Sequence, residues 1–315
     1  MGIADILDET VELYRSSFVL LVGMAAVVYV PFFVVDGLVK GFRQPTEASE
    51  LPGYLGAAVL ELVILLLVGT FVTGAMTFAI SERYLGRQTS IGACLGRMLR
   101  PGVFFPFLGA VMLKYVLVFL PVMVAAAMIG IVAAVSISSG TAATAAVLLL
   151  GLPLILGALV LLVYMLVRLA LVEPCFILEM SGVRRAIGRS WALVRGYMLK
   201  TLAVLAIATA VTWLVQAVLT APTQAMIALR PEGAPDPSRL LIAVHLTLST
   251  VTSALFMPVI SIVTILLYYD IRIRREGFDL EILAQELDAR ARQAALLTPA
   301  LPEEHLPKPG GEVPQ

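Results

Sequence analysis

Six long apolar stretches separated by short polar ones set the pattern of this chain: residues 18–35, 53–80, 103–137, 145–173, 201–221 and 240–269. A helix rises 1.5 Å per residue and needs about 20 residues to cross the hydrocarbon layer. The pattern therefore predicts an all-α polytopic membrane bundle of about six transmembrane helices, a single domain over residues 1–297. Pro106 and Pro121 interrupt the third stretch, whose first turns are expected in the interface rather than in the span.

Composition sharpens this reading. Of 315 residues 60% are apolar and 14% charged, against roughly 45–50% and 25% in soluble domains, which excludes a water-soluble globule. Lys plus Arg and Asp plus Glu number 22 each, so no net field recruits nucleic acid. The placement of the charges is uneven. The segments before the first span, at 81–102, at 174–200 and after residue 270 carry sixteen Lys and Arg, against four in the alternate segments. By the positive-inside rule both termini are expected in the cytoplasm. Asp5, Asp8, Glu9 and Glu12 precede the first span where a cleaved leader would carry cations, so no cleavage is expected. Cys94 and Cys175 lie far apart without nearby His, and read as small buried hydrophobes rather than as a disulfide or metal site.

The segments on the outer side are expected to be plain connectors, whereas those on the inner side combine Arg with apolar residues at helical spacing. Ile91, Leu95 and Met98 or Leu99 run beside Arg97 and Arg100. Val183, Ile187, Trp191 and Val194 run beside Arg184, Arg185, Arg189 and Arg195. Both predict amphipathic helices in the headgroup layer with their cations towards phospholipid phosphates. Before the first span, Ile3, Ile6, Leu7, Val11 and Tyr14 repeat the pattern with acids on the polar face. Ser90-Ile-Gly-Ala-Cys-Leu and Ala186-Ile-Gly-Arg-Ser-Trp occupy matching positions in the two halves, a hint of an internal pseudo-repeat.

At the end of the sixth stretch Tyr268-Tyr-Asp-Ile-Arg-Ile-Arg-Arg places aromatics and then cations at a membrane boundary. A tail helix is expected at residues 279–297 and a proline-rich disordered tail at 298–315. Arg168-Leu-Ala-Leu-Val-Glu-Pro-Cys-Phe-Ile-Leu-Glu179, Ala186-Ile-Gly-Arg-Ser-Trp-Ala-Leu-Val-Arg-Gly196 and the stretch from Pro258 through Tyr268 to Glu281 resemble the bacterial glycerophosphoryl diester phosphodiesterase membrane-domain family. The resemblance implies a six-span bundle of the bacterial cytoplasmic membrane and an association with glycerophospholipid. It implies no hydrolase activity, because the soluble barrel of some family members is missing here.

An ionisable group inside the hydrocarbon costs about 2.5–3.5 kcal/mol on insertion scales and calls for a reason. Glu61, Lys114, Arg168 and His245 fall inside the spans. Arg168 and Lys114 can snorkel to headgroups; Glu61 must be protonated or find a partner on another helix. Polar stripes run down the fifth stretch (Thr209, Thr212, Gln216, Thr220) and the sixth (His245, Ser249, Thr252 or Ser253, Ser261 or Thr264). They serve either as interhelical hydrogen bonding or as a polar crevice between the second, fifth and sixth spans. Glu173-Pro174 breaks the fourth span, and Glu173 and Glu179 are expected to form a structural clasp with Arg184, Arg185 and Arg189.

Signatures of hydrolases, nucleotide-binding loops and metalloproteases are absent, so neither an enzyme, a metal site nor a cofactor is expected. The leading expectation is a lipid-contacting scaffold or accessory subunit, partnered by membrane phospholipid and by a membrane protein or a second copy of itself. The alternative is a small transporter or lipid-handling protein using the crevice around Glu61, Gln216 and His245.

Overall fold

The computed structural model describes residues 2–35, 51–137, 141–180, 182–229 and 239–276. The connectors at 36–50, 138–140 and 230–238, the expected tail helix at 279–297 and the expected disordered tail at 298–315 lie outside the described residues. Within them all regular structure is α-helical: α1 (Ile3–Ser16), α2 (Phe18–Val35), α3 (Leu51–Tyr84), α4 (Ile91–Met98) and α5 (Pro101–Ile137) make the first half. The second half comprises α6 (Thr141–Arg168), α7 (Val172–Glu179), α8 (Val183–Val194), α9 (Met198–Ala228) and α10 (Arg239–Glu276).

Among the described residues five helices are long and apolar enough to cross a membrane: α3, α5, α6 running on into α7, α9 and α10. A sixth crossing follows when α1 and α2, bent by 80° at their junction, count as one span. α2 has the bounds expected of the first span but is one arm of this bent pair. The third stretch is one continuous helix, with Pro106 and Pro121 both inside it, so the expected interfacial start is not a separate segment. Three connectors are shorter than expected, because α3 starts at Leu51, α6 at Thr141, and α9 continues through Pro222 to Ala228. Proline is tolerated inside a membrane helix where neighbours satisfy the freed backbone groups. In the turn before Pro258 of α10 the carbonyl of Leu255 accepts the hydroxyl of Tyr14 from α1 at 2.8 Å.

Side chains such as Val19, Leu149, Val160 and Leu199 are largely exposed, as expected where lipid is the solvent. The fully buried ones gather where the short helices meet the long ones: Met76 and Ile80 of α3, Met98 of α4, Phe107 of α5, and Leu169 and Leu171 between α6 and α7. Gly74 makes the closest approach possible. A Cβ there would stand 2.5 Å from Met98 Cε and 2.9 Å from Phe107 Cε1.

The rows that the short amphipathic helices bury against the protein share only Ile6, Met98 and Val194 with the expected stripes. In α8 the buried row is Ala186, Ser190, Leu193 and Val194, while Trp191 is exposed and Val183 and Ile187 are half-buried. In α4 Cys94 and Met98 are buried and Leu99 is exposed. In α1 Ile6, Thr10 and Leu13 are buried, while Ile3 and Val11 are exposed. Each inward row includes a small residue that lets backbones approach.

Candidate functional site

The charged residues of the middle of the chain sort into two groups. The first is intramembrane. Lys114 on α5 places Nζ 2.8 Å from Glu173 Oε1 on α7, with side-chain exposures of 12% and 17%. Glu173 was expected to join a clasp with the α8 arginines, and Lys114 to snorkel; instead they pair with each other, an attraction that offsets part of the cost of desolvating both. The pair stands on the wall of a cavity of about 620 Å³ between α5, α6, α9 and α10. The remainder of its polar lining among the described residues is uncharged and includes Tyr29 of α2, Thr73 of α3, Tyr115 of α5, Thr209, Thr212 and Gln216 of α9, and Ser253, Ser261 and Thr264 of α10. A second cavity of about 480 Å³ lies between α3 and α5, lined mainly by apolar side chains such as Leu62, Leu66, Val116 and Phe119. Thr73, Tyr115 and Glu173 line both.

The crevice expected between the second, fifth and sixth spans is therefore built chiefly on α5, α6, α9 and α10, with α3 contributing Thr73. Gln216 lines it as expected. His245 does not; its Nδ1 lies 2.8 Å from Thr223 Oγ1 of α9. Glu61 lies on α3, but its side chain is outside the described residues. The hydroxyl stripes mostly turn back on their own helices instead of bridging helices. Thr212 donates to the carbonyl of Thr209, Thr220 to Gln216, Ser249 to Leu246, Thr252 to Leu248 and Thr264 to Ile260. A hydroxyl satisfied within its own helix can still accept a hydrogen bond from a guest.

The second group ties the short helices to the ends of the long ones. Glu179 at the end of α7 accepts Arg189 Nε of α8 at 3.1 Å on both oxygens, and Tyr268 of α10 donates to its Oε1 at 3.0 Å. Tyr269 shares a 2.6 Å hydrogen bond with Ser81 and stacks on Tyr84, both of α3. Lys200 of α9 pairs with the buried Asp270 of α10. The Arg168 guanidinium donates to Tyr164 Oη and to the Trp191 carbonyl at 3.2 Å each, and lies over both rings. Arg97 stacks on Phe78, its Cζ 4.0 Å from the ring centroid. Arg100, Arg184, Arg185 and Arg195 are exposed. The break before α7 falls at residues 169–171, ahead of Glu173-Pro174, and Pro174 sits in the first turn of α7, where no amide is required. Among the described residues no three His, Cys, Asp or Glu side chains converge as metal ligands.

The sequence reading missed Thr73 and Tyr115 as cavity walls and missed the Lys114–Glu173 pairing. A signal existed for the first: Gly69, Thr73, Thr77 and Ser81 recur every fourth residue on α3, a small and hydroxylic row. The pairing had a weaker one, two opposite charges each within a predicted span.

Ten helices without a strand among the described residues, five or six of them membrane-spanning in length and apolarity, define a polytopic α-helical membrane protein. The chain belongs to the family described as a domain of unknown function, DUF7847, whose model matches residues 1–271. No curated protein and no solved structure matches the chain.

Proposed function

We propose that this protein is a non-enzymatic lipid-handling protein of the bacterial cytoplasmic membrane, termini inside the cell, whose intramembrane cavity receives part of an amphiphilic molecule. The observation that carries the reading is the Lys114–Glu173 pair on the wall of a 620 Å³ cavity, a volume in the range of small-molecule sites. A purely structural ion pair needs no such space beside it. The uncharged hydroxyl and amide lining supports the same reading, since it offers donors and acceptors without fixing one charge sign. The resemblance to the glycerophosphodiester phosphodiesterase membrane domain points to glycerophospholipid as the surrounding chemistry. A photoreactive phenylalanine derivative at buried Thr212 tests it. Irradiation of the protein in membranes should yield a lipid-sized adduct distinct from that at lipid-facing Leu214, and Ala206→Trp should abolish it. Identical adducts at both positions would overturn the reading.

A second reading, a lipid-contacting scaffold or accessory subunit for a membrane protein or a second copy, is favoured by one feature. Arg184 and Arg185 lie exposed on α8 while Arg189 is engaged with Glu179. Under it, Arg184→Gln with Arg185→Gln weakens attachment to anionic vesicles and Lys114→Gln does not.

A further inference from the structure

We infer that the cavity is built for a zwitterionic amphiphile, whose two opposite headgroup charges meet Lys114 and Glu173 while its chain lies in the α3–α5 pocket. The inference rests on the intramembrane-cavity reading above and names its ligand class. Its first support is charge balance. Among the described residues lining either cavity, Lys114 and Glu173 are the charged ones, one of each sign, 2.8 Å apart. An anion drawn to Lys114 would bring its charge against Glu173, and a cation drawn to Glu173 would face Lys114. Like charges held together where side chains are mostly covered are disfavoured. A molecule carrying both signs gives each side chain a counter-charge and leaves the site neutral, as it was before.

The second support is connectivity. Glu173, Tyr115 and Thr73 belong to the polar-lined cavity and to the apolar pocket alike, so a ligand held at the pair has a hydrocarbon-lined space directly beside it. Tyr115, whose ring centroid lies 5.6 Å from Lys114 Nζ, packs on Phe119 of the same pocket. A polar solute would leave that pocket empty; a hydrocarbon without a headgroup would leave the ion pair unengaged. An amphiphile occupies both.

Native mass spectrometry of the full-length protein in micelles doped with chain-matched lipids tests this. Phosphatidylethanolamine is the zwitterion, phosphatidylglycerol the anion, a dialkylammonium lipid the cation, and glycerophosphoethanolamine the headgroup without chains. The zwitterion is expected to be retained about tenfold over either singly charged lipid, a ratio set by like-charge repulsion, and over the chainless headgroup. Lys114→Gln and Glu173→Gln each erase the preference. The swap Lys114→Glu with Glu173→Lys restores it, because a flexible headgroup can reverse, and this keeps the test informative if a single neutralisation fails to fold. Val116→Trp, in the apolar pocket, lowers retention of long chains against short ones. Equal or better retention of a singly charged lipid overturns the inference, as does a preference that survives both neutralisations or equal binding of the chainless headgroup. Loss of the Thr212 adduct would sink the cavity reading itself; an adduct without zwitterion preference sinks the ligand class alone.

Discussion

The hydroxyl of Ser190 accepts the amide of Leu171 at 3.2 Å and donates to the carbonyl of Arg168 at 2.8 Å. One side chain of α8 thereby closes both ends of the break between α6 and α7. The junction is buried, and backbone groups left unpaired away from water are costly. Two residues beyond the break, Glu173 in the first turn of α7 meets Lys114.

Removing that hydroxyl should therefore cost more than a surface change. Ser190→Ala leaves two buried backbone groups without a partner, each loss being worth about 1–3 kcal/mol. The unfolding midpoint in a fixed detergent should drop, while Ser81→Ala, which breaks a side-chain pair and orphans no backbone group, should drop it less. An unchanged midpoint in Ser190→Ala would show that the break is satisfied otherwise.

The Glu179–Arg189 contact should behave as a coupled pair. Both side chains are mostly covered, at 16% and 29% exposure, and Tyr268 adds a third hydrogen bond. A double-mutant cycle with Glu179→Ala and Arg189→Ala should give a coupling energy of about 1 kcal/mol, discounted for partial solvent screening. Tyr268→Phe should lower stability by a similar amount and leave Arg189 in place. Strict additivity of the two alanine variants would remove the clasp.

These two contacts mark where the sequence was legible and where it was not. Spans were visible because an unbroken apolar run of about 20 residues has few other uses, and α2, α3, α5, α9 and α10 overlap the expected stretches throughout. The Glu179–Arg189 partnership lay ten residues apart and could be anticipated. Helix faces could be read only in part, at Ile6, Met98 and Val194, because the hydrophobic effect that marks a buried stripe in water is weak between helices in lipid. Cys94 was expected to be buried and is, but the inward rows of α1 and α8 contain Thr10 and Ser190, which a search for large apolar residues passes over. Aligning Ile91-Gly92 with Ile187-Gly188 does set Cys94 opposite Ser190, both wholly buried, though Ile91 opens α4 and Ile187 lies within α8. The Lys114–Glu173 pair joins residues 59 positions apart, a separation at which spacing carries no information.

Thiol chemistry at Cys94 follows from its surroundings. The side chain is buried on α4, outside the long spans, and burial, the largest influence, pushes its pKa up, with a hydrogen bond to Thr89 opposing. Native protein should resist maleimide at neutral pH and react once unfolded, since the thiolate is the nucleophile. The sign for stability is fixed as well. A folded-state value above the unfolded one keeps its stabilising contribution in full below the unfolded value, and that contribution is lost as pH rises through the folded one. Midpoints should fall with alkaline pH in the wild type and less so in Cys94→Ala, compared at matched detergent. Fast native labelling at neutral pH would contradict the burial.

Gly74 fixes how closely α3, α4 and α5 approach, and a methyl group there tests that distance directly. The added Cβ would meet the Met98 terminal methyl at 2.5 Å and the Phe107 ring at 2.9 Å. Met98 is flexible and can withdraw its end, but the Phe107 ring is fully buried and packs against Phe176, 5.4 Å between centroids, so it has nowhere to move cheaply. Overpacking of this kind costs about 1–3 kcal/mol, more than the modest gain from replacing glycine inside a helix. Gly74→Ala should therefore destabilise, and Phe107→Leu should recover part of the loss by vacating the ring edge, whereas Met98→Leu should recover less. Because α5 also carries Lys114, displacing α5 should change photo-crosslinking at Thr212 as well as the unfolding midpoint. A Gly74→Ala variant that unfolds at the wild-type temperature would mean that the three helices are spaced more widely than their backbone positions indicate.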